Sequence, residues 1–93
     1  MVRYYVVKGR VQGVGFRWLV HREAAARGLK GWVRNTDTGD VELMVAGADE
    51  KLAELRGVLE RGSRGSRVDA VQETDMDEAT AEGLAAFQIE GAW

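Results

Sequence analysis

Three glycines stand within seven residues in Gly9-Arg10-Val11-Gln12-Gly13-Val14-Gly15-Phe16-Arg17, between an apolar strand-like run and a helix-like run. A residue without a Cβ accepts positive φ and lets the backbone approach a ligand closely. A chain that passes from strand to helix through such a stretch turns tightly and exposes its N–H groups. The first turn of the following helix adds amide donors with no intrahelical partner and a partial positive charge. An anion placed there is stabilised by the dipole and by hydrogen bonds together. Arg17 adds a planar, permanently charged fork suited to two phosphate oxygens. From physics alone, the stretch is an anion cradle.

The rest of the chain supplies a small layered fold around it. Residues 2–8 are rich in β-branched and aromatic types, and Arg3, Tyr5 and Val7 alternate with Val2, Tyr4 and Val6. Apolar groups on both faces predict an interior strand. Phe16 to Arg27 reads as a helix, with Phe16, Leu19, Val20, Ala24 and Arg27 near helical spacing and Gly28 as its stop. Lys30 to Asn35 alternates through Trp32, and Thr36-Asp37-Thr38-Gly39-Asp40 is turn chemistry leading into Val41 to Ala46, which predicts a hairpin. Asp49 to Arg61 places Leu52, Leu55 and Leu59 on one helical face, with acids in its first turn and Arg61 in its last. Gly62-Ser63-Arg64-Gly65-Ser66 reads as a flexible connector, Arg67 to Thr74 as a strand, Asp75 to Gly83 as an acidic loop or short turn of helix, and Ala86 to Glu90 as a last short strand. The order is β-α-β-β-α-β. Two β-α-β halves predict an α+β, ferredoxin-like two-layer sandwich, an antiparallel sheet with two helices on one face.

Familiar phosphate loops do not fit the cradle. The nucleotide-triphosphatase loop requires a Lys-Ser or Lys-Thr pair, and the chain has neither; the dinucleotide fingerprint fails because Trp18 stands where a third glycine is needed. A cysteine phosphatase loop fails for want of any Cys. Val11-Gln12-Gly13-Val14-Gly15-Phe16-Arg17, followed by Gly31-Trp32-Val33-Arg34-Asn35, resembles the two signature segments of the acylphosphatases. The resemblance covers nearly the whole chain and implies the same sandwich fold. It implies that Arg17 grips the substrate phosphate and that Asn35 holds the attacking water. By the same analogy the backbone amides of Gln12, Gly13, Val14, Gly15 and Phe16 complete the cradle, and the Thr36 hydroxyl assists. Two departures from the family pattern lie outside the motif: the chain has no Pro, and Gly91-Ala92-Trp93 runs past the usual strand end.

The absent chemistry agrees with that substrate. An acyl phosphate expels a carboxylate whose conjugate acid has a pKa of about 4, so its departure needs little help from a general acid. The phosphoryl group chiefly needs its charge held and its nucleophile placed in line. An arginine, an amide cradle and one side-chain amide suffice, and neither metal nor cofactor is expected. The lone histidine, His21, lies one helical turn beyond Arg17 and is read as packed or solvated rather than as a base; Trp18, Trp32 and Trp93 are read as packing groups, with Trp32 supporting the strand beneath Asn35.

Ninety-three residues are read as one domain, 1–93, able to bury a core without staples. The N-terminus meets Arg3, Lys8 and Arg10 before any signal-peptide core could form, and no apolar run approaches the length of a membrane span. Zero Cys suits a reducing compartment, so the expectation is a cytoplasmic monomer acting on a small molecule, without membrane or nucleic-acid partners. Charge is uneven: residues 1–46 hold eight Lys/Arg against four Asp/Glu, and residues 47–93 hold five against eleven. The cradle lies in the basic half, where a local positive field would concentrate a small anion. The alternatives are a domain like the acylphosphatase-like segment of hydrogenase-maturation carbamoyltransferases, which handles carbamoyl phosphate, a non-catalytic module that binds phosphate or carbamoyl phosphate without turnover, and an RNA-binding sheet. The last is disfavoured because Val41 to Ala46 carries no aromatic residue.

Overall fold

In the computed structural model, which describes residues 1–91, the elements run β1 (Val2–Arg10), α1 (Phe16–Ala26), β2 (Lys30–Asn35), β3 (Val41–Ala46), α2 (Asp49–Arg61), β4 (Arg67–Met76) and β5 (Gln88–Ile89), with a 3-10 turn at Glu78–Gly83. The expected packing role of Trp93 falls outside the described residues, as does most of the tail Gly91-Ala92-Trp93. The strands form one sheet in the order β4-β1-β3-β2-β5. β1 is an interior strand, antiparallel to both β3 and β4. β2 and β3 form the predicted hairpin, with Val33 opposite Leu43 and Asn35 opposite Val41. The four longer strands are the antiparallel sheet that the pattern implies. The short last strand lies parallel to β2 on its outer edge, pairing Trp32 with Gln88 and Val33 with Ile89, so the complete sheet is mixed.

Both helices cover one face. Tyr5 and Val7 of β1, Val33 of β2 and Val41, Leu43 and Val45 of β3 form one buried cluster with Phe16, Val20 and Ala24 of α1 and Leu52, Leu55, Val58 and Leu59 of α2. The 3.6-residue period of each helix meets the two-residue period of the strands along this layer. Burial of each Val, Leu or Phe here contributes roughly 1.5–3 kcal/mol. Arg27 does not extend the apolar stripe as its spacing suggests. Its guanidinium pairs with Glu23 at 2.8 Å and with Glu54 of α2 at 3.0 Å, tying the two helices together.

Tyr5 is 1% exposed and sits beneath α2. Burial, and secondarily the negative charge of Glu73, push its phenol from 10.0 to about 12. The fold therefore favours the protonated phenol. This contribution to stability is fully present below pH 10 and is lost as pH rises toward 12, because the unfolded chain releases that proton first. We expect urea denaturation midpoints of the wild-type chain to fall across that window more steeply than those of Tyr5→Phe. Parallel pH profiles for the two proteins would refute this.

Candidate active site

The turn from β1 into α1 is set by glycine. Gly15 is the N-cap residue of α1 in the left-handed region, at φ 76° and ψ 13°, and Gly13 shares that region at φ 73°. A β-carbon at either position would meet open space, so the requirement is backbone conformation and not room. The α1 N-terminus receives no side-chain cap and has no acidic residue in its first turn, whereas α2 begins with Asp49 and Glu50. Neither helix receives a side-chain cap, and only α2 carries an acidic counter-charge in its first turn.

A cavity of about 260 Å³ opens at this N-terminus, lined by Val11, Gly13, Gly15, Phe16, Arg17 and Trp18. These lining residues include no carboxylate and no imidazole. Phe16 is 1% exposed and anchors the first turn in the core, so the next residue, Arg17, is carried to the cavity wall. The Arg17 Nη1 donates to the Glu90 carbonyl at 3.5 Å, and the Glu90 N–H in turn donates to the Val33 carbonyl at 2.8 Å. Arg17 is thereby tied to the β2–β5 edge of the sheet.

The cavity lining includes some of the expected cradle residues, and other groups of the loop are held elsewhere. Gly13, Gly15, Phe16 and Arg17 surround the cavity, while Gln12 and Val14 are engaged on its flanks. The Gln12 Nε2 donates to two carbonyls at the hairpin mouth, that of Thr36 at 2.9 Å and that of Asp40 at 2.8 Å. The Val14 carbonyl accepts from the Ser63 hydroxyl at 3.1 Å. The Gly62–Ser66 stretch, expected to be a flexible connector, is a tied turn: the Ser66 hydroxyl accepts from the Ser63 N–H at 2.8 Å and donates to the Ser63 carbonyl at 2.7 Å.

Asn35 ends β2 on the same side of the strand as buried Val33. Its Oδ1 is buried with no hydrogen-bond donor, and it is the only such side-chain atom found among the described residues. A buried acceptor left without a donor costs about 1–3 kcal/mol. Asn35 does not line the 260 Å³ cavity itself. Thr36 closes the hairpin: its N–H donates to the Asp40 carbonyl at 2.9 Å, and its Oγ1 accepts from the Asp40 N–H at 3.1 Å and lies 3.0 Å from the Thr38 hydroxyl. Lys8 pairs with Asp40 at 2.9 Å behind the same turn.

A family model for the acylphosphatases matches residues 3–89. This chain belongs to the acylphosphatase family. A curated acylphosphatase of Koribacter versatilis (strain Ellin345) is 50% identical over 91 residues, covering 98% of this chain and 81% of the relative. The crystal structure of an acylphosphatase from Bacillus subtilis superposes with a TM-score of 0.83 at 39% identity, covering 98% of this chain and 100% of that one. A full-length HypF, solved in a phosphate- and nucleotide-bound form, has a TM-score of 0.81 at 27% identity; it covers 97% of this chain, which spans 12% of it. The two helices on one face of the sheet match the acylphosphatase structures, and membership in this family supports acyl phosphate hydrolysis.

One aromatic expectation, that for Trp32, fails against the geometry, and Trp18 packs at the surface rather than in the core. Trp18 is 57% exposed, because a residue two positions after buried Phe16 lies roughly 200° around the helix from it. Trp32 lies on the sheet face opposite Val33 and Asn35, with the Arg34 guanidinium 4.4 Å from its ring centroid, and so does not underpin Asn35. His21 packs edge-on to Trp18 and tilted against Phe87, as a packing histidine should. The Gln12 side chain escaped the sequence reading, which assigned only its backbone amide. The available signal was a long amide in a loop otherwise made of small and apolar residues. We expect Gln12→Glu, which sets a carboxylate against two carbonyls, to lower stability by about 1–3 kcal/mol, with Gln12→Ala between it and wild type. Equal denaturation midpoints for all three would show that the strut carries no load.

Proposed function

We propose that the chain converts acyl phosphates to carboxylate and orthophosphate by direct, in-line attack of water on phosphorus. The observation that carries this reading is the buried, donorless Oδ1 of Asn35 at the strand end tied to the glycine loop. An oxygen in that position accepts a hydrogen bond from a neutral water, and a side-chain amide can donate to a second oxygen at the same time. Arg17 and the loop amides from Gln12 to Phe16 hold the phosphoryl oxygens. They favour the charge spread over those oxygens during transfer. The water oxygen bonds to phosphorus, the bond from phosphorus to the acyl oxygen breaks, and the carboxylate leaves with the electron pair. The proton released by water passes to a phosphoryl oxygen, since the cavity lining offers no carboxylate or imidazole.

The weak demand of a carboxylate leaving group makes this sparse equipment sufficient. An alkyl phosphate would depart as an alkoxide and receive no protonation here, so its hydrolysis should be negligible. Among the described residues, no group of three or more His, Cys, Asp or Glu side chains is placed to hold a metal. We take the reaction to be metal-independent and carried out by one copy of the chain in the cytoplasm, with Thr36 acting through the hairpin it closes. The second reading is a non-catalytic module for phosphate or carbamoyl phosphate, favoured only by the likeness to one segment of HypF.

Hydrolysis of benzoyl phosphate by the purified chain tests the assignment. Turnover should persist in EDTA, and orthophosphate should inhibit competitively. Arg17→Ala should weaken phosphate binding and lower kcat/KM by about 100-fold or more. Asn35→Ala should lower kcat by about 100-fold with little change in orthophosphate affinity. It should leave thermal stability unchanged or raised, because it deletes a buried acceptor that has no donor. A folded wild-type chain that binds phosphate without turnover would establish the binding-module reading instead.

A further inference from the structure

A groove of about 550 Å³ lies on the far flank of the glycine loop, between α1 and the turn that joins α2 to β4. It meets the cradle cavity at Gly15 and Trp18, which line both. The exposed Trp18 indole is thus a ridge between the two spaces, and Val14 and Leu19 add apolar surface beyond it. Two guanidinium groups, those of Arg22 and Arg64, stand among the lining residues, and no carboxylate does. Arg22 is 71% exposed and pairs with Glu23 at 3.1 Å, while Arg64 enters no ion pair among the described residues.

The sheet order places this groove relative to the reaction. With strands ordered β4-β1-β3-β2-β5, the loop leaving β1 has the β2 hairpin on one side and the turn entering β4 on the other. Gln12 reaches to the first and Val14 is held by the second. In-line transfer sets the attacking and leaving oxygens on opposite sides of phosphorus. Water positioned from the Asn35 side therefore sends the acyl group toward Trp18 and the groove. We propose that the groove is the acyl subsite, and that it selects acyl phosphates whose acyl part has a flat or extended apolar body ending in a second anionic group. The body lies along Trp18 and Leu19, and the distal anion meets Arg22 and Arg64. This rests on the roles assigned above to Arg17 and Asn35, and the bonds made and broken are the same.

The test compares kcat/KM for acetyl phosphate, benzoyl phosphate and 4-carboxybenzoyl phosphate at low ionic strength. The proteins are wild type, the double variant Arg22→Gln/Arg64→Gln, and Trp18→Ala, each checked for folding by circular dichroism. Wild type should favour 4-carboxybenzoyl over benzoyl phosphate by roughly three- to tenfold, a preference that shrinks with added salt and approaches one in the double variant. Trp18→Ala should instead lower the preference for benzoyl over acetyl phosphate. Ratios that stay the same across the three proteins, with acetyl phosphate still hydrolysed, would overturn the subsite and leave the hydrolase assignment standing. Failure of wild type to hydrolyse acetyl phosphate would overturn both.

Discussion

The site depends on one side-chain amide. Gln12 spends both of its N–H donors on the carbonyls of Thr36 and Asp40, at 2.9 and 2.8 Å, and so couples a glycine loop to a hairpin twenty-four and twenty-eight residues away. Without that coupling, the loop that carries Arg17 and the strand end that carries Asn35 lose the side-chain bonds that join the loop backbone directly to the hairpin mouth. Positioning is steep in its effect, since a displacement of about 1 Å at a reacting centre can cost about 100-fold in rate. A strut that reads two carbonyls at once resists rotation as well as separation. The remaining ties complete the arrangement: Lys8 with Asp40 behind the hairpin, Ser63 beneath Val14, and Arg17 on the Glu90 carbonyl.

Around this coupling, the protein leaves selected groups short of partners. α1 begins without a capping side chain or a first-turn acid, and Asn35 keeps an acceptor buried and donorless. A buried acceptor without a protein donor is costly, and a helix start without acidic side chains keeps its partial positive charge. The neighbouring elements are satisfied in ordinary ways, as with Asp49 and Glu50 at the start of α2 and the Arg27 pairs with Glu23 and Glu54. The buried acceptor of Asn35 and the acid-free start of α1 are the two departures from that pattern described above.

Much of this was legible in the residues. Period-two and period-3.6 patterns located every main element, because Val33, Leu43 and Val45 or Leu52, Leu55 and Leu59 cannot satisfy their burial in another register. Gly13 and Gly15 announced a backbone that needs positive φ. What escaped was tertiary. Nothing local tells that Gln88 and Ile89 pair parallel to β2, since two residues carry no periodicity and their partner lies more than fifty residues away. The Gly62–Ser66 turn has the composition of a loose linker, and only the mutual bonds of Ser63 and Ser66 make it firm. Trp18 read as packing because indoles are usually buried. Its helical phase relative to Phe16 was the better guide, and it points away from the core.

The position of β1 has a kinetic corollary. The first strand of the described chain lies inside the sheet, and its outer partner, β4, joins Val2 to Met76 and Arg10 to Arg67. The strand nearest the N-terminus must therefore wait for the one that spans residues 67 to 76 before both its edges are covered. Long-range pairing of this kind makes folding slow relative to a helical protein of equal stability. In the interval, an apolar edge stays open to other chains. The glycine loop hangs from that same strand. Its geometry therefore matures only once residues 67 to 76 have emerged and joined the sheet, long after the glycine stretch itself has been synthesised.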